Sequence, residues 1–121
     1  MVLSLNSKPR RGDTWTVLGE VDVPVCMEGS LTEGPDGMFY AVAQSEGGIT
    51  LGRADDPLGP YEMLPEPVLT PAGAPYEIDE LIAPQLYFED DVVFLYYSGA
   101  NDSDTDHELG WWTLLAYTSL Q

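Results

Sequence analysis

Asp102, Asp104 and Asp106 alternate through Asn101-Asp102-Ser103-Asp104-Thr105-Asp106-His107-Glu108, a dense run of metal-type oxygens. Three carboxylates at that spacing open an EF-hand loop, where hard oxygens surround Ca²⁺. Such a loop then needs Gly at its sixth position and a bidentate Glu at its twelfth. His107 and Thr113 stand there instead. The segment therefore reads as a solvated hairpin tip of Asn, Asp and Ser, with a looser Ca²⁺ site as the alternative. No metal ligand set is assigned, and no other cofactor is expected.

Cys26 and His107 are each alone in the chain. One cysteine makes neither an intrachain disulfide nor a Cys-based zinc site within one chain. In Val23-Pro24-Val25-Cys26-Met27 it reads as a small buried hydrophobe. His107 has no partner pattern for a base or a ligand. Aromatic faces are plentiful by contrast: Trp111-Trp112, Tyr96-Tyr97, Tyr87, Tyr40 and Tyr76. Successive strand residues point to opposite faces, so one of each adjacent pair can line a groove. Sugar rings stack on such faces while carboxylates and amides bind hydroxyls. The same rings also fill the space between packed sheets, which is the reading for most of them. Trp111 or Trp112, whichever faces outward, is the platform candidate, with Tyr40 and Gln85 beside it as substrate-binding candidates.

Charge narrows the partners. The chain carries 21 Asp and Glu against 4 Lys and Arg, a formal net charge of −17 over 121 residues. A nucleic-acid ligand needs a basic surface and is excluded; anionic membranes are disfavoured on the same ground. A hydrophobic fraction of 44% with 11% aromatics argues for a folded chain, because disordered acidic chains are poor in such residues. Salt at 1 M shortens the Debye length to roughly 3 Å, so a halophilic chain whose stability rises with KCl is one expectation. No basic segment followed by an apolar core opens the sequence, and no apolar run approaches a membrane span. A soluble cytoplasmic protein is expected.

Ten prolines and twelve glycines are scattered through the whole length and leave no room for a long helix. The stretches between them are short and rich in β-branched and aromatic residues, which predicts an all-β chain. Strands are expected at 1–5, 14–18, 30–32, 38–44, 48–54, 61–64, 85–88, 92–98 and 110–118, with at most one helical turn at 79–82. Segments repeat. Ser30-Leu31 followed by Phe39-Tyr40-Ala41-Val42 lies on Gln85-Leu86 followed by Phe94-Leu95-Tyr96-Tyr97, and Leu51–Asp55 lies on Leu115–Ser119. Trp15-Thr16-Val17-Leu18 lies on Tyr61-Glu62-Met63-Leu64. The unit is a four-stranded antiparallel meander of propeller-blade size. The expected organisation is a single partial β-propeller domain over 1–121: end strands of one blade at 1–20, a complete blade at 26–65, and a blade lacking its outer strand at 79–121. A nine-stranded sandwich is the alternative.

Three strings extend this reading. Met27-Glu28-Gly29-Ser30-Leu31 leading to Asp36-Gly37-Met38-Phe39-Tyr40 is one. Ala54-Asp55-Asp56-Pro57-Leu58-Gly59-Pro60-Tyr61 is the second, and Asp79-Glu80-Leu81-Ile82-Ala83-Pro84-Gln85-Leu86 leading to Phe94-Leu95-Tyr96-Tyr97-Ser98 is the third. Together they resemble the blade openings and the Pro-Leu-Gly-Pro link of glycoside hydrolase family 43, over roughly residues 26–119. Families 32, 68, 117 and 130 share that five-bladed architecture. The resemblance implies paired carboxylates on the innermost strands, one protonating the glycosidic oxygen and the other activating water or attacking the sugar. It matches Glu28 to the general acid, whose pKa that chemistry asks to be raised, and Asp79 to a supporting carboxylate.

The sequence departs from that family in three ways. The Asp-Pro that opens the family's first blade has no counterpart, since Asp56-Pro57 belongs to the link. The Glu blade precedes the Ala-Pro blade, whereas the family has them reversed. Five blades at about 40–45 residues each need roughly 200 residues. A homo-oligomer is therefore the expected partner arrangement, by strand exchange or blade packing. The oligosaccharide site would form on assembly; a non-catalytic, ring-forming propeller fragment is the alternative.

Overall fold

Turn residues divide the chain into hairpins. In Gly34-Pro35-Asp36-Gly37 the Asp36 carboxylate accepts the Met38 N–H at 3.1 Å and the Gly37 N–H bonds back to Gly34 at 3.1 Å. Gly37 takes φ of 80°, a conformation that glycine alone adopts without strain. The computed structural model describes residues 12, 14–24, 28–71, 80–101 and 110–120. Among these every regular element is a strand: β1 (Gly29–Glu33), β2 (Phe39–Ser45), β3 (Gly48–Ala54), β4 (Glu62–Met63), β5 (Glu80–Glu89), β6 (Val92–Asn101) and β7 (Gly110–Ser119).

They form two antiparallel sheets in simple meander order, β1-β2-β3-β4 and β5-β6-β7. The all-β expectation and the four-plus-three strand order hold. The strand expected at 14–18 does not. Segment 14–18 forms no ladder among the described residues, because no described strand lies beside it to satisfy its backbone. The helical turn allowed for at 79–82 is strand from Glu80 onward. The expected strand at 1–5 lies outside the described residues.

The sheets pack face to face. Ladder alternation turns Tyr40, Val42, Ile49 and Leu51 of the first sheet towards Leu86, Phe88, Leu95, Tyr97, Leu114 and Ala116 of the second. Ile49 and Val42 are fully buried there, and Tyr40 meets Phe88 at a ring-centroid distance of 5.2 Å. The Ser30 and Thr32 hydroxyls of β1 donate to the Pro84 and Leu86 carbonyls of β5, at 2.8 and 3.3 Å. On its other face the first sheet is covered too. Tyr61, brought in by the Pro-Leu-Gly-Pro link, joins Ala41 and Ala54, with Val21, Val23, Phe39 and Met63 around them.

Between Ile82 and Gln85 the β5–β6 ladder is interrupted by a bulge in which Ala83 has φ of 52°. A bulge is where Pro84 can sit in a strand, since it has no N–H to give a ladder. The hairpin registers also correct the repeat alignment: Thr32 stands opposite Tyr40 in β1–β2, whereas Leu86 stands opposite Leu95 in β5–β6. The sequence offset of 55 places Leu31 on Leu86, yet Leu31 is exposed and faces away from the second sheet while Leu86 is buried. Thr32, whose hydroxyl reaches Leu86, is the residue that faces across. With a side-chain period of two, the one-residue difference exchanges faces.

Candidate functional site

The second sheet has an outward face that the described residues leave bare. Gln85 pairs with Tyr96, Tyr87 with Phe94, Phe94 with Tyr117 and Tyr96 with Leu115, so these side chains share one surface. Tyr87, Tyr96, Leu115 and Tyr117 are exposed. Their rings run in a row, with Tyr87 to Phe94 and Phe94 to Tyr117 both at 6.3 Å between centroids. Gln85, Leu86, Tyr87 and Tyr96 line a shallow depression of about 240 Å³. The Gln85 amide offers both donors and an acceptor beside two phenol rings.

A second groove, about 360 Å³, is lined by Tyr40, Leu51, Gly52, Arg53, Glu62, Met63, Leu64 and Pro65 on the first sheet. Arg53 is the only cation among the described residues. The Tyr40 hydroxyl donates to the Asp36 carboxylate at 2.5 Å. That bond holds the Asp36 carboxyl below its ordinary value. It also raises the Tyr40 phenol, with burial adding to the rise and Arg53 opposing it. The Tyr40 ring packs at a tilt against Phe88 while Tyr40 also lines the groove.

Glu28 is exposed just before β1, and its main-chain carbonyl accepts the Gln44 N–H at 2.7 Å. Asp79 lies outside the described residues, as do Cys26, His107 and the acidic run 102–108. The carboxylate pair that the resemblance implies is thus described on one side alone. Trp112 sits opposite Gly99, on the ladder face that also carries Leu114 and Ala116, and retains 39% exposure at the sheet end. Trp111 occupies the position opposite Ala100, and its side chain lies outside the described residues. Gln85 is the candidate that the structure joins to a surface of aromatic rings. Tyr87, Phe94, Tyr96 and Tyr117 complete that surface. The signal that finds them is the period-two spacing Gln85-x-Tyr87, Phe94-x-Tyr96 and Leu115-x-Tyr117.

Among the described residues no group of three or more His, Cys, Asp or Glu is disposed to hold a metal ion. No family model, curated protein or solved structure matches this chain.

Proposed function

We propose that this chain is a carbohydrate-binding protein of the propeller-blade type, which holds an oligosaccharide on the outward face of its second sheet. The observation that supports this reading is the row of exposed Tyr87, Tyr96 and Tyr117 with half-buried Phe94 among them and Gln85 at its side. A sugar ring lays its C–H face on a phenol ring while an amide bonds its hydroxyls; flat aromatic surfaces with few polar groups suit that task. Nothing in such a site needs a metal or a nucleophile.

Titration calorimetry with arabino- and fructo-oligosaccharides tests it. Tyr87→Ala and Tyr96→Ala should each weaken binding at least tenfold with the melting temperature nearly unchanged, because both side chains already face solvent. Binding that survives both substitutions, or no binding to either sugar series, overturns the assignment.

A glycoside hydrolase-like activity is the second reading, and the resemblance at Glu28 is what supports it. Hydrolysis needs a second carboxylate across the scissile bond, from Asp79 or from another copy. A screen on aryl-glycosides should then show turnover that Glu28→Gln lowers by about 10²–10⁴, the usual worth of a positioned acid. Turnover indifferent to Glu28→Gln removes Glu28 from the mechanism.

A further inference from the structure

β7 is the edge of the second sheet, and no described strand pairs with its outer side. It runs for ten residues, Gly-Trp-Trp-Thr-Leu-Leu-Ala-Tyr-Thr-Ser, without a charge or a proline. Edges of that kind are adhesive, and folded proteins usually shorten them, bend them or guard them with Lys and Pro. Two of the other edges show such measures: β4 is two residues long, and the β5 carbonyls of Pro84 and Leu86 are occupied by hydroxyls of β1.

Segment 14–18, Thr-Trp-Thr-Val-Leu, is the matching half. Its composition is that of a strand, yet it forms no ladder with any described residue, and Trp15, Val17 and Leu18 are 77%, 89% and 77% exposed. The chain just beyond it, at 21–23, is anchored. The Asp22 N–H donates to the Leu58 carbonyl at 2.8 Å, the Tyr61 N–H donates to Asp22 at 3.0 Å, and Val21 and Val23 pack around Ala41, Ala54 and Tyr61. That anchor lies on the face of the first sheet turned away from the second, so the segment departs on the side opposite its own β7.

We propose that segment 14–18 of one copy adds to β7 of a second copy as the fourth strand of that sheet. The repeat fixes the register. Residues 15–18 match 61–64 in sequence, and in the first sheet Met63 pairs with Gly52 and Glu62 with Arg53. Leu51 pairs with Val42 and faces the other sheet, as Leu114 pairs with Tyr97 and does the same. Gly52 therefore corresponds to Leu115 and Arg53 to Ala116. Val17 then pairs with Leu115, Thr16 with Ala116 and Trp15 with Tyr117. Trp15 and Val17 join the outward aromatic face, where aromatic cross-strand pairs are favourable. The contact is head-to-tail, so it propagates into a ring or an open chain. Each copy carries −17, so association requires salt to screen it.

This pairing would extend the aromatic face proposed for the glycan, and it is tested by association without any sugar, so its failure is distinguishable from failure of the glycan reading. Its test is a chain carrying Cys26→Ser, Trp15→Cys and Tyr117→Cys, oxidised in 1 M KCl, alongside the unaltered protein. Directly opposed residues lie about 4.5–5.5 Å apart at Cα, within disulfide reach. The unaltered protein should scatter light as multiples of 13.3 kDa, and the variant should give an interchain disulfide ladder. Val17→Pro should lower self-association at least tenfold with far-UV circular dichroism and melting unchanged, because Val17 is exposed and pairs with no described residue. A 13.3 kDa species at all concentrations in 1 M KCl, a disulfide closed within one chain, oligomers with no interchain disulfide, or association indifferent to Val17→Pro each overturns the proposal.

Discussion

The two sheets of this chain are alike in path and opposite in completion. The first has four strands, a two-residue edge strand reinforced by the Ile49–Leu69 bridge, and cover on both faces. The second has three strands, one buried face, one bare aromatic face and a ten-residue edge. The difference lies in the chain beyond the third strand of each. After β3 the link Asp55–Tyr61 turns the chain back: Asp56 accepts the Leu58 N–H at 2.9 Å, the Gly59 N–H bonds to Asp56 at 2.9 Å, and the Tyr61 hydroxyl donates to the Pro57 carbonyl at 2.9 Å. Tyr61 lands buried on the outer face. No described residue does this for β7. A blade-like meander is thus stable on one face from its own strands, while its second face and last edge depend on what is brought to them.

The sharpest way to break that comparison is a matched pair of truncations. Ile49→Ala should destabilise the chain by about 2–5 kcal/mol, as fully buried large-to-small changes do. Leu115→Ala should stay within about 0.5 kcal/mol in the dilute monomer, as exposed positions do. Urea titration of both distinguishes them; equal losses would mean that the outward face of the second sheet is covered after all.

Salt is the next lever. Raising KCl from 0.1 to 1 M should lift the melting temperature, and self-association should rise over the same range, because the −17 charge is screened within a shorter Debye length. A melting temperature independent of salt would separate the composition from any halophilic role.

Ala83→Gly gives a smaller effect of opposite sign. Ala83 holds the left-handed conformation at φ of 52°, which costs an L-residue roughly 1–2 kcal/mol and glycine almost nothing. After glycine's extra unfolded-state entropy a gain of up to about 1 kcal/mol should appear in denaturant titration. A loss would show that the Ala83 methyl packs usefully in the bulge.

Smallest is the pH dependence of the first sheet. The Asp36 carboxyl sits below its ordinary 3.8 because Tyr40 bonds to it. That contribution is full above 3.8 and lost as pH falls through the lowered folded value. Tyr40 and Tyr61 are raised above 10.0, Tyr40 chiefly by Asp36 and Tyr61 chiefly by burial with the Asp56 charge beside it. Their contribution is full below 10.0 and lost as pH rises through the folded values. Tyr61→Phe should flatten the alkaline limb of a stability–pH curve and leave the acid limb alone.

Turn chemistry made most of the fold legible in the sequence. Gly34-Pro35-Asp36-Gly37, Gly47-Gly48 and the 55–60 link each bound a strand that forms within a residue or two of its expected limits. The start of β5 was not legible, because Pro84 reads as a breaker and its place in a bulge depends on β1 hydroxyls from 54 residues away. The β1–β2 and β5–β6 hairpins close in registers that differ by one residue from the repeat alignment, which exchanged faces for Leu31. Segment 14–18 was legible as strand-forming but not as lacking a partner among the described strands, since pairing is a property of neighbours. At the candidate site, Gln85 was reachable from residue type, whereas the Tyr87–Phe94–Tyr117 row needed the register of β5, β6 and β7 together. Glu28 rests on resemblance alone.

Amide hydrogen exchange as a function of protein concentration in 1 M KCl tests the asymmetry most directly. The β2 and β3 amides should exchange at rates independent of concentration. The amides of β7 and of residues 14–18 should gain protection together as concentration rises, at least tenfold between dilute monomer and concentrated protein. Protection of β7 that does not depend on concentration, or protection of β7 without 14–18, contradicts an open second sheet completed by a strand from another copy.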